Sequence, residues 1–415
     1  MNLLICPQYP YPANHAVVNT VYEGLLPLRG HTVHMVRPMA GITRVQQLPA
    51  PWANGSLVVY PDAPVGGRLS NVARSIRQSR WVEAAMNRRR GVAFAAVLVR
   101  NDLATASAAL KDSRRREIPF VYQLSSPDAE FAVSRGRERG GLSGGYMRLR
   151  GQLGLAARRR ISRQASAVLA ISDSMRAHVV AADGLDPDRV FSFPMGVIDD
   201  GGAGRERIDA LRGELALPVG RTLVYSGVID PVRQSGWMLD VFDRVRARVP
   251  DAAFLVVTYQ SDERRRVFED DARRRQANVH VVGPVAFRDV SRYLRCADVA
   301  MSPYPPMMEH KVASPTKSLE ALAAGVPVVG NIEVDEHAAI LNASGGGVAV
   351  PWDQGAFADA IVSMFERNDE RRRMGERGRE WVLAHRTYGH LTEYLEQILA
   401  AASRPSALKA LPHAP

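Results

Sequence analysis

Apolar runs of four to six residues recur along the chain, and stretches with helical spacing separate them. Short, uniformly apolar runs predict strands buried on both faces, and the stretches between predict helices laid over them. In the first half, strands are expected at 3–6, 32–37, 57–60, 93–99, 120–123, 167–171 and 190–193. In the second half they are expected at 222–226, 253–258, 279–282, 299–302, 326–329 and 347–350. Strand–helix alternation throughout is the signature of parallel α/β architecture. Two such sets predict two Rossmann-like domains, residues 1–200 and 201–386, with a glycine-containing linker around 194–220. The Gly- and Arg-rich stretch 134–145 reads as a mobile loop and 404–415 as a disordered tail. No internal repeat is visible.

In open parallel sheets, ligands bind beyond the carboxyl ends of the strands. One such place is legible in detail. A strand ending at Ser302 runs into a proline-rich loop, and Ser314-Pro315-Thr316 then opens a helix. Serine is a favoured N-cap and proline suits the first turn. The helix passes Lys317 and Glu320 and stops at Gly325, before the apolar Val326-Pro327-Val328-Val329. A helix N-terminus there favours phosphate through its free N–H groups and dipole. Lys317 adds a cation. Glu320, one turn on, is placed to accept hydrogen bonds from ribose hydroxyls. A diphosphate beside a sugar ring describes a nucleotide.

Charge sharpens the picture. The net charge of +11 lies wholly in residues 1–200, whereas residues 201–415 are neutral. The excess concentrates in two clusters. Arg74, Arg77, Arg80, Arg88, Arg89 and Arg90 accompany Trp81, and Arg148, Arg150, Arg158, Arg159, Arg160 and Arg163 flank Tyr146, Met147, Leu149, Leu153 and Leu155. A basic, half-apolar helix suggests an anionic membrane surface. Nucleic acid is disfavoured: its binding signatures are missing, and the arginines are not interleaved with stacking aromatics. A solvated arginine-rich face is the plain alternative. The chain has four lysines, and two of them, Lys311 and Lys317, fall in the phosphate loop.

Cys6 and Cys296 are far apart in apolar surroundings and offer neither a disulfide framework nor metal-ligand spacing, so a reducing cytoplasm is expected. The start of the chain lacks a signal-peptide pattern, and no apolar run approaches the roughly 20 residues that span a bilayer.

The string Glu320-Ala321-Leu322-Ala323-Ala324-Gly325-Val326-Pro327-Val328-Val329 resembles the E-A-M-A-x-G-x-P-V-V segment of retaining GT-B glycosyltransferases of the family 4 type. The resemblance covers residues 220–400 well and the first half in layout. The family's pattern has a further Glu eight residues upstream, where this chain has Val312; some branches instead resemble S-P-x-K-x-x-E, matching Ser314, Pro315, Lys317 and Glu320. The resemblance implies a GT-B fold, two Rossmann-like domains facing a central cleft, with the last helix, 387–403, packed back on the first.

It also implies roles. Arg233 and Lys317 are the expected catalytic cations on the donor diphosphate. Arg233 lies in a G-x-x-D-x-x-R match with Gly227 and Asp230, and the usual following lysine is Gln234. Donor contacts are expected from Gly227, Ser314, Pro315, Thr316, Lys317 and Glu320, and from the backbone at Val285. In the first domain Asn14, His15, Asp128 and Glu130 are candidate acceptor contacts, and Glu309 a candidate sugar contact. Four have an ordinary alternative: an N-cap for Asn14, first-turn carboxylates for Asp128 and Glu130, a solvated loop residue for Glu309. His31 is expected to be structural.

The implied activity is retaining transfer of a sugar from a nucleotide-diphosphate donor to a glycan, expected to be lipid-linked. No metal or other cofactor is expected, since nothing resembles a DxD site. Together with the basic clusters, the resemblance implies peripheral attachment at the inner membrane face of a cytoplasmic protein. Two alternatives stand beside it: a non-catalytic nucleotide-sugar-binding subunit, favoured by the missing first Glu and by Gln234, and an epimerase or hydrolase on the same fold.

Overall fold

The computed structural model describes residues 1–13, 15–62, 70–89, 91–202, 204–229, 234–260 and 263–414. Asn14, Arg68, Arg90, Asp230, Arg233 and the side chain of Arg74 therefore lie outside the description. Two compact units are present, one formed by Met1–Pro194 with Tyr388–Pro415, the other by Met195–Thr387.

The first unit is built on eight strands: β1 (Asn2–Cys6), β2 (Thr32–Met39), β3 (Gln46–Leu48), β4 (Gly55–Pro61), β5 (Ala96–Arg100), β6 (Phe120–Leu124), β7 (Ala167–Ala170) and β8 (Val190–Ser192). Their order is β3-β4-β2-β1-β5-β6-β7-β8, parallel except for β3, which pairs antiparallel with β4. The second unit holds β9 (Thr222–Ser226), β10 (Ala253–Val257), β11 (Val279–Val282), β12 (Val299–Ser302), β13 (Val328–Asn331) and β14 (Gly347–Val350), all parallel in the order β11-β10-β9-β12-β13-β14. Central strands such as β9 and β10 are buried on both faces, as their uniform apolarity requires. The two Rossmann-like α/β units expected from the pattern are present.

In each sheet the strand order reverses once, between β1 and β5 and between β9 and β12. Connections leave toward opposite sides there, so the loops after those strands splay apart and leave a crevice.

Several expectations need correction. Residues 134–145 are not a loop: they lie in the helices Asp128–Arg139 and Gly141–Gln164, which meet at Gly140 and Gly141, both at positive φ. The glycines permit close helix packing. A Cβ on Gly136 would lie 2.7 Å from the Gly144 carbonyl oxygen, and one on Gly144 2.4 Å from that of Gly136.

The tail is structured as well through residue 414. Pro405–Lys409 is helical with Leu408 buried, and the β8 residue Ser192 donates its N–H to the His413 carbonyl at 2.7 Å. Residues 194–220 carry the helix Arg205–Glu214, and Asp200 pairs with Arg295 at 2.9 Å within the second unit. The strand at 93–99 begins only at Ala96, and that at 326–329 is displaced to Val328–Asn331. The short strand β3 escaped notice because its residues, Gln46-Gln47-Leu48, have no apolar run.

The final helix, Tyr388–Ala401, belongs to the first unit. His31 ties it down, with Nε2 at 2.7 Å from Glu396, while its Nδ1 meets the N-terminal amine at 2.9 Å. That is the structural role expected of it.

Candidate functional site

The second unit gathers its candidate residues at the β9/β12 reversal. The helix Thr316–Ala323 starts just beyond β12. Lys317 leans from its first turn across the ends of both central strands. Its Nζ lies 5.5 Å from the Tyr225 ring centroid, at the end of β9, and 4.8 Å from that of Tyr304, just past β12. Two aromatic faces hold an ammonium by their quadrupoles.

Both rings are fixed from behind. The Tyr225 hydroxyl donates to the Val228 carbonyl at 2.8 Å. Asn331 accepts from the Tyr304 N–H at 2.9 Å and donates to its carbonyl at 3.0 Å. Gly227 closes the cage: at φ +143° it brings its backbone against the lysine, and a Cβ there would lie 2.3 Å from Lys317 Cε. Only glycine suits both that φ and that approach.

His337 sets the helix's pitch against the sheet. Its Nε2 sits 2.7 Å from the Ser318 hydroxyl and 3.2 Å from that of Ser302 on β12. Burial, with a smaller effect of Lys317, pushes His337 down to about 3, so it is neutral at physiological pH.

Glu320 lies one turn beyond Lys317, on the same side of the helix by its i,i+3 spacing. It is half-buried, and among the described residues its carboxyl has no hydrogen-bond or ion-pair partner. Burial pushes it up to about 7 although Lys317 pulls the other way. A carboxyl in this state suits a ligand that brings hydroxyl donors.

Other expected residues fall differently. Ser314 is not the N-cap. It is buried, and its hydroxyl accepts the Met195 N–H at 3.0 Å; Pro315 occupies the cap position and no side chain caps the helix. Thr316 begins the helix and is half-buried. Val285 follows a cis Gly283–Pro284 bond, and its N–H is spent on the Thr258 carbonyl at 2.9 Å. That N–H is therefore not free to meet a base. Glu309 lies on the four-residue helix Met308–Lys311 with no partner among the described residues. Val312, where the family pattern has its first Glu, is buried. Arg233 lies outside the described residues.

In the first unit, Glu130 has one carboxylate oxygen engaged in internal ion pairs. Its Oε1 meets Arg158 at 2.5 Å and His178 at 2.9 Å, and these partners hold the carboxyl at about 2 despite burial. Arg158 also forks onto Asp183 at 2.9 and 3.1 Å, and Arg163 donates to the Asp183 carbonyl. Two arginines of the second basic cluster, buried Arg158 and exposed Arg163, are thus tied to Asp183. Asp128 stays exposed in its helix's first turn. His15 is stacked on Tyr9 with ring centroids 4.0 Å apart. Both cysteines are buried and free, with burial pushing Cys6 to about 12.

Among the described residues, no three His, Cys, Asp or Glu side chains are grouped to hold a metal, and no helix is long and apolar enough to cross a membrane.

Tyr225, Tyr304, Asn331 and His337 were not singled out from the sequence. Their sole signal was position at or just past strand ends, which many residues share.

Comparison with known proteins places the fold. Residues 16–196 match the model of a glycosyl transferase 4-like domain, and residues 220–367 that of glycosyl transferases group 1. A sucrose-phosphate synthase from Thermosynechococcus elongatus superposes with a TM-score of 0.71 at 17% identity, covering 96% of this chain and 98% of its own. WaaG, a glycosyltransferase involved in lipopolysaccharide biosynthesis, gives 0.68 at 17% identity over 96% and 99%. HepE from Anabaena, solved in complex with UDP, gives 0.66 at 14% identity over 97% and 100%. No match was found among curated proteins. At these identities the structural likeness carries the fold, and the two family models between them span both units. The chain belongs to the group 1 glycosyltransferases of GT-B fold.

Proposed function

We propose that the second unit binds a nucleoside-diphosphate sugar and that the enzyme transfers the sugar, with retention, to a lipid-linked glycan received by the first unit. The observation that carries the donor assignment is Lys317, caged by Tyr225, Tyr304 and Gly227 at the strand reversal, with the carboxyl of Glu320, unpartnered among the described residues, one turn on. Solved relatives of the fold carry UDP or UDP-glucose.

In this reading Lys317 and Arg233 receive the charge that grows on the diphosphate as the C1–O bond breaks. The acceptor oxygen bonds to C1 on the same face, and its proton passes to the departing phosphate oxygen. Stabilising charge where it develops is the largest single contribution such a site can make. The absence of a convincing carboxylate nucleophile in the sequence fits this route. Incubation with a panel of nucleotide sugars, with and without EDTA, tests it. Release of UDP or GDP dependent on acceptor is expected in both conditions, with the anomeric configuration kept; no release from any donor would overturn it.

Attachment to an anionic membrane is part of the proposal. On the helix Gly141–Gln164, Leu142, Leu149 and Leu153 are 90%, 56% and 63% exposed, and their spacing sets them on one stripe. Arg148, Arg150 and Arg160 are exposed around them. Each basic residue near an anionic surface contributes about 1 kcal/mol, screened by salt. Sedimentation with anionic vesicles is expected at low salt, reduced at high salt and in the Leu149→Asp/Leu153→Asp variant. Equal binding to neutral vesicles, or none at low salt, would remove the membrane from the reading.

A further inference from the structure

We propose that the first unit holds an oxyanion, a phosphate or carboxylate carried by the acceptor, on Arg100 beside His15. The inference rests on the reading that this unit receives the acceptor, and it adds the acceptor's charge.

Arg100 ends β5, and the loop that carries Tyr9 and His15 follows β1. These are the two strands between which the order of the first sheet reverses, so both residues stand where an open parallel sheet offers its crevice. The second unit places Lys317 at the equivalent reversal of its own sheet.

The arginine itself is unusual. Four arginines are buried among the described residues: Arg37, Arg100, Arg158 and Arg371. Arg37 pairs with Glu23, Arg158 with Asp183 and Glu130, and Arg371 with Asp298. Arg100 is 2% exposed, yet no described carboxylate lies within ion-pair distance of it. Its Nε–H is buried with no acceptor among the described residues.

The Tyr22 hydroxyl lies within hydrogen-bonding reach of Arg100, but it also donates to Gln123. Neighbouring Asn101 is already engaged, its amide donating to Gln8 at 2.8 Å and to Ser125 at 2.5 Å. Beside this charge the buried Nδ1 of His15 likewise lacks a partner among the described residues. Burial, then Arg100 and Arg37, push His15 down to about 3.

A buried guanidinium without a counter-charge is costly, and an arginine fork matches carboxylate or phosphate oxygens in two parallel bonds. An oxyanion would supply the counter-charge, accept from Nε–H, and reverse the field on His15.

Inorganic phosphate is the first probe, used with the full-length chain carrying Lys317→Ala so that the second unit's cation does not contribute. Calorimetry is expected to show phosphate binding, weakened about tenfold or more by Arg100→Gln and less by Arg100→Lys. Histidine NMR, assigned with His15→Asn, is expected to show the His15 pKa rising on phosphate addition. Unchanged affinity in Arg100→Gln together with an unmoved His15 overturns the proposal.

Should Arg100→Gln fail to fold, as judged by circular dichroism, Arg100→Lys and the His15 titration decide alone. Competition by acetate, by a soluble hexose phosphate and by short-chain phosphatidic acid distinguishes carboxylate, sugar phosphate and lipid phosphate as the source. These readouts need no transfer. Phosphate binding with every donor inactive would sink the proposed reaction and leave this site standing; active transfer with no phosphate binding would do the reverse.

Discussion

Lys317→Ala is expected to lower kcat by roughly 10²–10³-fold, the range found when a single preorganised donor to a developing oxyanion is removed. In the proposed reading the ammonium meets the diphosphate, where charge grows most in the transition state. Binding of the bare nucleoside should therefore change little, and the loss should appear in kcat. Arginine is a poor replacement, because a compact ammonium held 4.8 and 5.5 Å from two ring centroids leaves little space for a planar fork.

Gly227→Ala supplies an independent test. Its Cβ would lie 2.3 Å from Lys317 Cε, at a backbone φ of +143°, so the lysine is pushed off the cage while still present. A similar fall in kcat is expected. Steady-state kinetics with the best donor, beside calorimetry with the nucleoside, checks both. Loss of nucleoside affinity with unchanged kcat would take Lys317 off the diphosphate.

Glu320→Gln carries the second large effect. A charged hydrogen bond to ribose contributes about 1.5–3 kcal/mol, so donor affinity should fall roughly 10- to 100-fold. The carboxyl stands at about 7 before ligand arrives. Ribose hydroxyls donate to the ionised form, so affinity is expected to rise with pH up to about 7 and then level off. Below that value it should drop by up to about tenfold per pH unit, and the Gln variant should be nearly flat.

Stability must move the opposite way. The folded pKa is raised from the ordinary value of 4.5, so the unfolded chain ionises first as pH rises. Stability falls between about 4.5 and 7 and stays lower above. Glu320→Gln should therefore match the parent near pH 4 and exceed it by about 1–3 kcal/mol at pH 8. Denaturant unfolding at the two pH values checks this. A variant that binds donor as well as the parent would remove Glu320 from the ribose; one that gains no stability at pH 8 would show instead that burial does not raise this carboxyl.

The sequence by itself determined the strand–helix alternation, the two sheets, and the string from Ser314 to Val329. Each is a local matter: uniform apolar runs make buried parallel strands, Gly325 stops a helix at positive φ, and Lys317 and Glu320 share a face because they are three residues apart.

Tertiary structure decided the rest, because a parallel sheet sets side by side strand ends that are far apart in the chain. Tyr225 and Tyr304 become walls of one cage only once β9 and β12 pair. Arg100 and His15 meet only through the pairing of β1 with β5. Polar residues take their roles from such neighbours: Glu130 is drawn to Arg158 and His178, and Ser314 to the Met195 N–H. Glycines 136 and 144 suggest flexibility in sequence and permit close packing in space, since a missing Cβ does either according to what stands opposite.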